Sequence, residues 1–113
     1  MATSKKFDTA GDVATLIRTE KKLKRPRMYK VLIHNDDFTP MEFVVMILES
    51  IFNKDEGEAT VLMLHVHTRG MGVAGIFSKE IAETKVLQVM ATAEKAGYPL
   101  LCTMESVDDG EGA

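Results

Sequence analysis

The chain has 113 residues, an apolar fraction of 45% and a net charge of −3 at pH 7, which suits one domain with a real core. A single cysteine excludes an internal disulfide framework and a Cys-rich zinc site, and the acidic balance argues against the whole domain binding nucleic acid. No segment approaches the roughly 20 apolar residues that span a bilayer, and Met1–Lys6 leads into polar sequence, so a reducing, cytoplasmic setting is expected.

Residues 1–26 read as a flexible N-terminal extension. A short apolar patch at Val13, Leu16 and Ile17 is followed by a basic run from Lys21 to Arg27, whose composition is that of a solvated linker rather than a nucleic-acid arm. Pro26 favours extended backbone before it and marks a boundary. The folded domain is expected over 27–107, and the acidic, Gly-containing stretch 108–113 as a disordered tail.

Within the domain, Tyr29, Val31 and Ile33 alternate with Met28, Lys30, Leu32 and His34, which predicts a strand covered mainly on one face. Asn35-Asp36-Asp37 then turns the chain. Thr39 as N-cap, Pro40 at the first helical position and Glu42 as the partner of a capping box predict a helix start. Val44, Ile47, Leu48 and Ile51 form its apolar stripe. Asp55 and Glu58 predict a second box, opening a helix with Ala59, Leu62, Met63 and Val66 inward and Gly70 as its stop. Met71–Phe77 reads as a strand. Ser78 is placed to cap a third helix with Ala82, Val86, Val89, Met90 and Ala93 on one stripe, ended by Gly97 and Pro99, and Leu100–Glu105 reads as the last strand. The expected fold is α+β: a single small domain in which a three-stranded antiparallel sheet packs with three helices, in the order β-α-α-β-α-β.

Three features carry candidate chemistry. Asn35-Asp36-Asp37 is either a turn former or an electronegative spot suited to a cation or an ammonium group. His65-Val66-His67 resembles a paired-ligand spacing, but on a helix residues two apart do not face each other, which argues against a zinc site built on both. His67 falls beside Met63 and Val66 at the edge of the apolar stripe. Met41, Met63 and Met90 each read as core. No nucleophile motif, phosphate loop or cysteine-ligated metal site is present, and no cofactor is expected. Composition and spacing by themselves stop at a small α/β domain.

Met28-Tyr-Lys-Val-Leu, then Asn35-Asp-Asp-Phe-Thr-Pro-Met-Glu-Phe-Val, resembles the ClpS family, adaptors of the Clp protease. The likeness continues through Ala59-Thr60, Met63-Leu64, Val66-His67, Glu80 and Ala82-Glu83-Thr84-Lys85 to Pro99-Leu100-Leu101-Cys102-Thr103, in order across about residues 26–106. It implies an adaptor rather than an enzyme, which binds N-degrons: proteins with a free N-terminal Leu, Phe, Tyr or Trp. On that likeness Asn35, Asp37 and His67 hold the α-amino group with Asp36 nearby. Thr39, Met41, Val44, Met63, Val66 and Leu100 line the side-chain pocket, Met41 at its mouth. Glu80, Thr84 and Lys85 dock on the N-terminal domain of the Clp AAA+ ATPase. The implied partners are that ATPase and N-degron peptides, with no nucleic acid and no membrane. Met46 stands where the family often has a polar residue, and Phe38 where Tyr is common. The reading from a different class is a metal-dependent hydrolase using Asp36, Asp37 and a histidine.

Overall fold

The computed structural model describes residues 27–107, arranged as β1 (Met28–His34), α1 (Met41–Ser50), α2 (Glu56–Arg69), β2 (Met71–Ser78), α3 (Lys79–Ala96) and β3 (Cys102–Ser106). The extension expected over 1–26 and the tail expected over 108–113 lie outside the described residues. The element order and the three-stranded antiparallel sheet are those anticipated. β1 is central, in the order β2-β1-β3, and is antiparallel to both neighbours. Two helices therefore fill the connection from β1 to β2, and α3 fills the one from β2 to β3.

β1 departs from the expectation of one covered face. Val31 and Ile33 are buried against the helices, but Leu32, between Val73 and Thr103 on the opposite face, is also buried. A central strand has a neighbour on each side to shield it, which an edge strand lacks. The pairing of β1 with β2 carries an irregularity between Val31 and Leu32, where Gly75 and Val73 are the successive partners and Ala74 is the extra residue. A bulge of this kind re-aims side chains locally. Ala74 is turned into the core.

The core joins Ile33 and Val31 to Ile47 and Leu48 of α1, Met63 and Val66 of α2, and Val89 of α3. Small residues bring the backbones close. Ala59, Ala82 and Ala93 are among the buried residues of their helices. At Gly72 an added Cβ would lie 3.0 Å from Val66 and 3.1 Å from His65, so the glycine lets α2 sit tightly on β2. That contact sets the height of the last two turns of α2 over the sheet. Met90 is not core: it is 37% exposed, as Met41 is at 41%, and of the three methionines only Met63 is buried. Both exposed methionines sit at the rims of their apolar stripes, where period alone does not separate inside from edge.

The helix ends match the sequence signals unevenly. Asp55 caps α2 with a complete box: its carboxylate accepts from the Glu58 amide at 2.7 Å and the Glu58 side chain accepts from the Asp55 amide at 3.3 Å. Gly70 and Gly97 end their helices in the left-handed region at φ 95° and 84°. The other two caps differ from expectation. Pro40, not Thr39, is the N-cap of α1, because its extended backbone directs its carbonyl to the amides of Phe43 and Val44 at 3.1 and 3.3 Å. The Thr39 hydroxyl is spent on Asp36 instead, and no Thr39–Glu42 box forms. Ser78 occupies the N-cap of α3 without a side-chain cap bond. At the other end of α1, which has no cation in its own last turn, Lys85 of α3 donates to the Ile51 carbonyl at 2.7 Å. It thereby satisfies a helix-terminal acceptor.

Cys102 is buried in this core, and burial pushes its thiol up from the ordinary 9.0 to about 12. Because the folded value is raised, the contribution of the protonated thiol is fully present below pH 9.0 and is lost as pH rises through about 12. Native protein at pH 8 is expected to resist a thiol-directed maleimide, while protein in denaturant reacts rapidly; equal labelling rates would show that the thiol is accessible. Asp55→Ala removes the carboxylate that accepts from the Glu58 amide and is expected to cost about 1 kcal/mol, read as a lower denaturant midpoint with unchanged slope.

Candidate functional site

The end of β1 is held from two sides. The His34 amide donates to the Leu101 carbonyl at 3.0 Å, and the Asn35 amide donates to the Gly70 carbonyl at 2.8 Å. The second bond ties the start of the 35–40 loop to the end of α2. Beyond it, Asp36 organises the turn: its carboxylate accepts from the Thr39 hydroxyl at 2.7 Å and the Phe38 amide at 3.1 Å, and its carbonyl accepts from the Thr39 amide at 3.2 Å. An aspartate bonding the backbone two residues on is the Asx arrangement that makes this residue type a turn former. Thr39 is buried by it at 8% exposure.

Between this loop, the first turn of α1 and the second half of α2 lies a cavity of about 270 Å³. Its polar side is the loop, Asn35, Asp36 and Asp37, together with His34 and His67. Its apolar side is Met41 and Val44 of α1 with Met63 and Val66 of α2, and Thr39 and Pro40 close the end. Three of the polar side chains are unspent. Among the described residues Asn35, Asp37 and His67 make no side-chain hydrogen bond or ion pair, and all three are exposed. Asp36, by contrast, is consumed by the turn. The cavity thus offers one carbonyl, one carboxylate and one imidazole beside an apolar floor. Such a set suits a group with several N–H donors joined to a hydrophobic stem. The volume is just below the roughly 300 Å³ at which pockets begin to admit drug-sized molecules.

Nine of the ten residues expected at the amine and the side-chain pocket line this one cavity. Leu100 does not. It precedes β3, where alternation turns it with Cys102 into the core, and it is 2% exposed. Two residues not singled out from the sequence, His34 and Pro40, do line it. His34 ends β1 directly before Asn35, and its ring Nε2 lies 2.8 Å from the Thr103 hydroxyl; Pro40 stands between two residues already marked. Adjacency to the marked cluster was the available signal for both.

Glu80, Thr84 and Lys85 lie together in the first two turns of α3 and do not line the cavity. Glu80 and Thr84 are exposed, the Thr84 hydroxyl donating to the Glu80 carbonyl at 3.0 Å. Lys85 is half-buried, with its ammonium on Ile51 and 5.7 Å from the centre of the Phe77 ring. His65 and His67 are separated by the helix as anticipated: His65 lines a different groove, with Lys54, Glu58 and Val73. Among the described residues no group of three or more His, Cys, Asp or Glu is placed to hold a metal ion, and Asp36 is already engaged, so the hydrolase reading has no donor set to rest on.

Comparison with known proteins agrees with the likeness in the motifs. The family described as "ATP-dependent Clp protease adaptor protein ClpS" matches residues 24–103. The ATP-dependent Clp protease adapter protein ClpS of Methylococcus capsulatus is 58% identical over 96 residues, which are 85% of this chain and 91% of that protein. Its counterpart from Rhodospirillum centenum is 54% identical over 106 residues, 93% of this chain and 98% of that protein. Among solved structures, Agrobacterium tumefaciens ClpS2 bound to L-phenylalaninamide superposes with a TM-score of 0.70 at 37% identity, covering 72% of this chain and 98% of that one. With the motifs in order, the same fold and relatives matched along nearly their whole length, the chain belongs to the ClpS family of adaptors of the ATP-dependent Clp protease.

Proposed function

We propose that this chain binds proteins through a free N-terminal Leu, Phe, Tyr or Trp in the cavity between β1, α1 and α2, and delivers them in the cytoplasm to the Clp AAA+ unfoldase for degradation. In this reading Asn35, Asp37 and His67 accept from the α-ammonium, while Met41, Val44, Met63 and Val66 enclose the first side chain. Asp36 and Thr39 act as positioning residues that hold the loop. Glu80, Thr84 and Lys85 dock on the N-terminal domain of the ATPase, and no bond is made or broken by the adaptor itself.

One observation carries the reading. A relative 37% identical over nearly its whole length is solved with phenylalaninamide, a free α-amine beside an aromatic side chain. This chain's cavity combines unspent acceptors with an apolar floor, the complement of those two groups. The energetics are sufficient. An α-amino group, with a pKa near about 8, is mostly protonated at neutral pH and has three donors. Charge-assisted hydrogen bonds contribute roughly 1.5–3 kcal/mol each, and burying a Leu or Phe side chain roughly 1.5–3 kcal/mol. After association costs, micromolar affinity needs only about −8 kcal/mol. Because both groups must fit at once, neither an internal phenylalanine nor an N-terminal serine satisfies the site.

The deciding measurement is an anisotropy titration with two labelled peptides that differ only in N-acetylation of a first-position Phe. Acetylation removes the charge and two donors, so affinity is expected to fall by about a hundredfold or more. Equal affinities would overturn the reading. In the same assay Asp37→Ala and His67→Ala are each expected to weaken the free-amine peptide by about ten- to a hundredfold. Both side chains are exposed and unbonded, so each variant's folding stability is expected to stay within about 0.5 kcal/mol of the parent. Weakened binding accompanied by a large loss of stability would assign the residues to the fold instead.

A further inference from the structure

A second concavity lies beside the first. It is a groove of about 530 Å³ lined by Leu87, Met90, Ala91 and Glu94 of α3 and by the Tyr98–Leu101 connection into β3. Leu87 is 69% exposed, Leu101 47% and Met90 37%. A small domain has no packing reason to collect exposed apolar side chains in one concave place, and such a patch marks a contact surface.

Two links join this groove to the cavity. The Leu101 carbonyl, in the connection that forms one wall of the groove, accepts the hydrogen bond of the His34 amide, and His34 lines the cavity. Adjacent backbones in such a ladder are about 4.8 Å apart. On the other side, Tyr98 meets Phe43 of α1 edge-to-face at 4.8 Å between ring centres, which fixes the groove against the helix that supplies Met41 and Val44. The occupant follows from the cavity's size. It has room for one side chain, so a polypeptide held by its first residue must trail out of the mouth. Each further residue of that chain reaches about 3.4 Å, so the next three residues extend about 10 Å from the mouth, about twice the spacing of adjacent backbones.

We infer that the groove of Leu87, Met90 and Leu101 is a subsite for apolar side chains at the third or fourth position of the bound polypeptide. This rests on the reading of the cavity as an N-terminal-residue site and adds a sequence preference beyond residue one. Of the eight lining residues only Glu94 is charged, so the groove selects by hydrophobic burial.

The test uses the full chain and four peptides: Phe-Ser-Ser-Ser and Phe-Ser-Leu-Leu, each with a free and an acetylated amine, followed by a common polar tail. The free Leu-containing peptide is expected to bind about tenfold more tightly than its serine counterpart, the increment for burying part of two leucines. In a Leu87→Ser/Leu101→Ser variant that advantage is expected to vanish while Phe-Ser-Ser-Ser binds as before, since neither residue lines the cavity. No advantage for leucine in the parent, or an advantage that survives in the variant, overturns the subsite and leaves the cavity reading standing. Loss of amine dependence in the serine pair would instead overturn the cavity reading itself.

Discussion

The Gly70 carbonyl accepts the Asn35 amide at 2.8 Å, and the site depends on that one bond. It fastens the loop leaving the central strand to the last turn of α2. His67, three residues before Gly70, thereby stands across from Asn35 and Asp37, although thirty or more positions separate them in the chain. The bond exists because Gly70 takes a left-handed conformation that a side chain would strain, which ends α2 and turns its chain into β2. Gly72 then lets the helix lie close on the strand. Two glycines and a bonded loop do the positioning, so Asn35, Asp37 and His67 need not spend their side-chain polar atoms on structure.

The division of labour between two adjacent aspartates follows from the same arrangement. Asp36 gives its carboxylate to Thr39 and Phe38 and becomes part of the scaffold; Asp37 gives its own to no described residue and faces out. A ligand bound beside Asp37 meets a preorganised acceptor whose loop does not have to order on binding, and binding energy is lost less to immobilisation. On the proposed reading, acceptors for an ammonium need only be fixed and free.

Much of this was legible in the residues. The alternation at Tyr29–Ile33, the Asp55–Glu58 box and the stop at Gly70 each rest on a local rule with a period or a spacing, and each element formed where that rule put it. The failures share a cause. Thr39 reads as an N-cap until Asp36 competes for its hydroxyl, and Met90 reads as core until the width of the α3 stripe is known; both outcomes depend on neighbours that a period does not report. The cavity residues on α2 were legible only through the family motif. By composition alone, a histidine and a methionine at the edge of a helical stripe are packing.

The burial of Cys102 has a practical corollary for anyone attaching a probe. With one thiol in the sequence, and that one buried in the core with its pKa pushed up to about 12, the molecule is expected to react little with sulfhydryl reagents near neutrality. A cysteine introduced on an exposed turn of α3 would carry a dye or spin label alone, with no need to replace the native residue and disturb the packing around it. Distances from such a reporter to a tagged ligand could then be measured on an otherwise unaltered scaffold.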